Sequence, residues 1–221
     1  MDSELLTVLV GAEQKRYNVH IDALCASSTY FRCLISSGLK EVKEQLVHLN
    51  SEVDDAVAFE AFIQFCYFSG YWAKESLNRH HGTLHFHAKV YVLAERLGCV
   101  ELKTMALDKA TDLCSDLTNV ANEKLQKCLE KSLCLFGETV RIVYANTYDP
   151  HAGKLPTVAQ EASGSSTPDD TQQITRNGFR LLLANFAASH LPELKKSEGF
   201  METHLDCPEF GTDLILFLGR D

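Results

Sequence analysis

Apolar and polar positions alternate along the start of this chain and then change period. Leu5 to Val10 is a β-rich run broken at Gly11, and Lys15 to His20 resumes with Tyr17 and Val19 in alternation, so the two predict a hairpin. Asp22 is placed to cap a short helical turn through Ala26. Ser27 or Ser28 is placed to cap a second helix carrying Tyr30, Phe31, Leu34 and Ile35, with Gly38 as its stop. Leu46 to Leu49 alternates again and predicts a third strand beside the hairpin.

The period then becomes helical. Asp54 or Asp55 opens a helix in which Phe59, Phe62, Ile63 and Cys66 share one face, ending near Gly70. Val90, Leu93, Ala94 and Leu97 repeat that spacing, and Gly98 sits where a left-handed cap belongs. Leu102, Met105, Ala106, Ala110 and Leu113 form the second member of an antiparallel pair expected to pack on the sheet. Leu125, Leu129, Leu133 and Phe136 keep helical register, and Val140 to Tyr144 either extends that element or turns away from it. Asn146 to Gln173 gathers Pro150, Gly153, Pro156, Gly164 and Pro168 around a Ser-Gly-Ser-Ser-Thr run, a composition expected to be a loop or linker. Phe179, Leu182, Leu183 and Phe186 mark another helix, and Phe210 to Leu218 is a last apolar segment. The expected fold class is α+β, with a small three-stranded sheet and a cluster of helices, then a helical C-terminal extension. The expected units are 1–115, a helical stretch over 116–145, a polar linker over 146–174 and a helical segment over 175–221.

Composition narrows the function classes. The chain has 221 residues, 21 basic and 30 acidic, for a net charge of -9, so a broad electropositive face for nucleic acid is not expected. No signal-like leader opens the chain, and its apolar runs, such as Leu181 to Ala184, fall far below the roughly 20 residues of a membrane span. A soluble intracellular protein, cytoplasmic or nuclear, is the expectation. The eight cysteines show no Cys-x-x-Cys pair and read as reduced, small apolar residues. His80, His81, His85 and His87 are the metal-ligand candidates: His-His followed by His-x-His brings imidazoles close, and a zinc-dependent enzyme is the remote alternative they raise. The spacing matches no His-Glu-x-x-His helix. Gly-x-Ser-x-Gly, a P-loop and Gly-x-Gly-x-x-Gly are all missing, so neither an enzyme nor a cofactor is expected.

Several ordered motifs carry a resemblance. Val19-His20-Ile21-Asp22-Ala23-Leu24 followed by Ala26-Ser27-Ser28-Thr29-Tyr30-Phe31 resembles the BTB/POZ signature after the second strand. Gly38-Leu39-Lys40-Glu41 and Val47-His48-Leu49 fall where that family carries its Gly-Phe-x-Glu turn and third strand. Phe59 to Tyr67 with Gly70-Tyr71, and Tyr91 to Gly98, resemble its later helices. The tail from Phe179 to His190 is similar to uncharacterised BTB-domain proteins of filamentous fungi. Ile21 departs from the family's usual Lys, and Ser3-Glu4 from its usual Ser-Asp. Almost nothing precedes the first strand, whereas the animal transcription-factor branch exchanges an N-terminal segment there on dimerising.

The resemblance implies a protein-protein interaction adaptor or scaffold, with His20 a structural imidazole beneath the first helices. It names two kinds of protein partner. One is the cullin scaffold of a ubiquitin ligase, met by an apolar-x-Glu turn that Leu39, Lys40 and Glu41 fit, with the apolar residue as anchor and the Glu facing a cation. The other is a second BTB protein, including a homodimer in transcriptional or signalling regulation.

Overall fold

The computed structural model describes residues 4–38, 44–50, 53–72, 83–118, 123–151, 176–197 and 199–218. Strands β1 (Leu5–Val10) and β2 (Lys15–His20) form the antiparallel hairpin, with Leu5 opposite His20 and Val10 opposite Lys15. Leu6, Val8 and Val10 are buried on one face of β1, as alternation requires. β3 (Leu46–Leu49) runs parallel to β1, which makes β1 the centre of a β2-β1-β3 sheet. A parallel return needs a crossover, and α1 (Ile21–Ser27) and α2 (Thr29–Ser37) supply it.

α3 (Ala56–Phe68) buries Phe59 and Phe62. The Phe62 ring stacks on Phe31 of α2 at 6.1 Å, and that of Phe59 meets Tyr17 of β2 at 5.3 Å. Each such buried side chain contributes about 1.5–3 kcal/mol relative to exposure. α4 (Leu84–Leu97) and α5 (Val100–Thr118) are the antiparallel pair; beyond α5, α4 packs most on the helix over Phe136–Asn146, then on α3 and less on α2, so the pair meets the first half of the chain through helices more than through the sheet. α6 (Glu123–Cys134) and α7 (Phe136–Asn146) follow, then α8 (Gly178–Ser189), α9 (Leu191–Leu194), α10 (Phe200–Asp206) and α11 (Pro208–Ile215).

Several local expectations change. Asp22 lies inside the first turn of α1, whose N-cap is His20. The cap of α3 is Asp55, taking the N–H groups of Val57 and Ala58, while Asp54 pairs with Arg96 of α4 at 2.6 Å. α3 ends on Ser69, left-handed with φ +52, one residue before Gly70. The run from Leu125 breaks at Leu135, so Val140 to Tyr144 belongs to a separate helix. Of 146–174, the described residues are 146–151: Asn146 ends α7, and Thr147 and Asp149 are buried; the remainder lies outside the described residues. Among the described residues no helix is long and apolar enough to cross a membrane.

Candidate interaction surface

Leu39, Lys40 and Glu41 lie outside the described residues, but the helix that leads into them is held firmly. The Ser28 hydroxyl accepts the Phe31 N–H at 3.2 Å, capping α2, and donates to the Leu97 carbonyl at 2.6 Å, tying the start of α2 to the end of α4. Thr29 donates its N–H and its hydroxyl to the Gly98 carbonyl at 3.3 and 3.2 Å. Gly98 is left-handed with φ +61, and a β-carbon there would stand 1.9 Å from Thr29 Oγ1. Gly38 closes α2 in the same conformation, φ +64.

On the other side of the hairpin, His20 is structural. Its N–H donates to the Tyr67 hydroxyl at 3.1 Å while Nδ1 stands 2.7 Å from the same oxygen. One hydroxyl thus holds both the backbone and the ring of His20. An exposed aromatic group runs from the end of α3 into the residues after it: Tyr67 is 40% exposed, Phe68 68% and Trp72 43%, with the Phe68 and Trp72 rings 5.9 Å apart.

The histidine candidates part company. His85 Nδ1 meets Thr139 Oγ1 at 3.0 Å, and since that hydroxyl donates to the Leu135 carbonyl, the imidazole is the donor. Burial, then the neighbouring Lys89 ammonium, holds His85 below its ordinary pKa. His87 is buried and faces the Tyr71 hydroxyl at 2.8 Å. His80 and His81 lie outside the described residues. Among the described residues no three His, Cys, Asp or Glu side chains gather as a metal site would need.

The thiols drawn into the interior are held protonated. All eight cysteines are free; Cys99 and Cys114 are buried, four others half-buried, and Cys33 and Cys134 exposed, so the expectation of small interior residues holds only for part of the set. Burial pushes the Cys66 thiol up to about 11 and that of Cys114 up to about 12, opposite to what a nucleophile needs.

A buried ionic cluster in the extension has no counterpart among the sequence expectations. Arg176 bridges Asp149 at 2.8 Å and Asp213 at 2.6 Å, with none of the three side chains exposed, and the Tyr144 hydroxyl donates to Asp213 at 2.9 Å. Its bonded partners stand 27 to 69 residues apart, so no local spacing signals them.

The BTB/POZ domain family model matches residues 2–109, from the stretch just before β1 into α5. No curated protein matches the chain. The hairpin, the Ser28 junction and the Gly98 cap lie in the matched stretch, and BTB/POZ domains are protein-protein interaction modules. Residues 2–109 of this chain are a BTB/POZ domain, and a helical extension is packed behind it.

Proposed function

We propose that the chain is a non-enzymatic adaptor whose BTB/POZ domain docks a cullin scaffold through Leu39, Lys40 and Glu41. The observation that carries this reading is the construction of α2: its first turn is fixed by Ser28 to Leu97 and its last by a left-handed Gly38, so the residues after Gly38 start from a rigid base. In this reading Leu39 fills an apolar pocket and Glu41 meets a cation, an anchor with an orienting charge. The buried ionisable groups described above are engaged in ion pairs or hydrogen bonds within the fold, and the buried thiols are held protonated, which favours a binding role over a catalytic one.

Co-purification with a cullin tests it. The double variant Leu39→Ala, Glu41→Ala is expected to lose the cullin while keeping its circular dichroism, and unchanged recovery of the cullin sinks the idea.

The exposed Tyr67, Phe68 and Trp72 group favours a second reading, self-association or docking of another BTB protein on that face. Light scattering separates the two, because a monomer at all working concentrations removes self-association and leaves the adaptor reading standing.

A further inference from the structure

His151 and Arg176 are the described residues on either side of 152–175. Side chains tie these two points together. Asp149 Oδ2 accepts Arg176 Nε–H at 2.8 Å and the Asn177 N–H at 2.9 Å, and its Oδ1 accepts the His151 N–H at 3.0 Å. The other arm of Arg176 donates from Nη2 to Asp213 on α11 at 2.6 Å, and Tyr144 of α7 donates to the second oxygen of Asp213. One helical turn on, Arg180 donates from Nε to Thr147 Oγ1 at 2.9 Å and from Nη2 to the carbonyls of Tyr144, at 3.0 Å, and Thr147. Its Nη1 meets Glu209 of α11, and its guanidinium lies 4.6 Å from the centre of the Tyr144 ring.

We propose that this cluster is a latch. It fastens α8 and α11 to α7 from the inside, so the C-terminal helices stay assembled whether or not the backbone through 152–175 is continuous, and the charges of the latch govern their release.

Three features support it. The two arginines are each shared between α7, or the turn after it, and α11, and the Arg176 pairs with Asp149 and Asp213 are buried on both sides, so separating α11 from the turn after α7 breaks a fully buried pair. Burial pushes the Asp149 carboxyl up, but the Arg176 guanidinium and the N–H groups of Asn177 and His151 outweigh it and hold the group ionised, below the ordinary aspartate value. Behind the charges, the Phe136 ring sits between those of Phe186 at 5.7 Å and Phe210 at 6.1 Å, which adds apolar contact made without the connecting segment. Cutting the backbone at 152–175 is then silent, whereas loss of a latch charge uncovers the aromatic surface of Phe179, Phe186 and Phe210.

A specific protease site inserted between Gly164 and Ser165 of the full chain tests the latch, with native size exclusion and light scattering after the cut. The nicked protein is expected to travel with the mass of the uncut one; separation of the two pieces overturns the proposal. In the same background Arg176→Met is expected to shed its C-terminal piece about a hundredfold faster than the parent, the ratio that loss of about 3 kcal/mol of buried pairing implies. Release at the parental rate overturns the role of the charges. Where uncut Arg176→Met does not fold, Arg176→Lys takes its place. It keeps the charge but cannot bridge Asp149 and Asp213 through one planar fork. Release of its cut piece at the parental rate likewise counts against the latch.

Discussion

Gly98 shows how one residue sets the position of two helices. Its φ of +61 favours glycine, and the space where a side chain would begin is taken by Thr29 Oγ1, 1.9 Å away. Gly98→Ala therefore carries two costs, about 1 kcal/mol for the left-handed backbone and a further cost for displacing the Thr29 hydroxyl from the Gly98 carbonyl. A total loss of about 2–3 kcal/mol in urea unfolding is the expected outcome. Thr29→Ala in the same chain relieves the clash and is expected to return part of that loss; a double variant no more stable than Gly98→Ala means the contact contributes nothing. The glycine itself was legible, since a helical run ending on Gly reads as a left-handed cap. The Thr29 crowding was not, because residues 69 positions apart meet only once the helices are packed. Ser28 divides the same way: its capping role follows from its place before Tyr30 and Phe31, while its bond to Leu97 belongs to the tertiary structure alone.

Among the elements, α3 shows how a cap couples to pH. Burial raises the Asp55 carboxyl, but the Ala58 N–H, the Lys89 ammonium 3.0 Å away and the Val57 N–H together bring it below its ordinary value. A depressed carboxylate contributes stability that is whole above the unfolded value of about 3.9 and is lost as pH falls through the folded one. Asp55→Asn keeps an acceptor for the cap but removes the charge, so it is expected to be less stable than the parent at neutral pH, the difference closing below about pH 4 in thermal melts. A gap that persists unchanged into acid locates the effect elsewhere. α6 and α7 show where periodicity stops being informative. Leu125 to Phe136 holds one helical phase, yet Leu135 turns out of it, and that turn lets Phe136 face Phe186, Phe200 and Phe210. The rings Phe136 must reach come from α8, α10 and α11, so the break answers to distant sequence.

Across the whole molecule, the extension and the BTB/POZ domain are built as one interior. Phe179 of α8 lies against Tyr91 of α4 with ring centres 4.9 Å apart, and the Tyr91 hydroxyl donates to Asn177 at 3.3 Å. Gly178 is close enough to α5 that a β-carbon would come within 2.6 Å of Leu107, and His85 of α4 donates to Thr139 of α7. Sequence pattern placed a boundary near residue 115, because the family motifs end there; α5 runs on to Thr118, and apolar side chains on both sides of that point share a single buried cluster. The proposed docking residues Leu39 to Glu41 are a purely local pattern, since they follow one another in the chain, whereas the ionic cluster is assembled from α7, α8, α11 and described residues beside them. A shared interior predicts shared unfolding. Phe179 is fully buried, and Phe179→Ala is expected to cost about 3–5 kcal/mol, lowering the denaturant midpoint of the far-UV signal and that of the Trp72 fluorescence together. Trp72 sits in the BTB/POZ domain and Phe179 in the extension, so the two probes report on the two halves. If the far-UV signal alone moves, the extension unfolds by itself, and the contacts of Tyr91, Leu107 and His85 do not couple the halves.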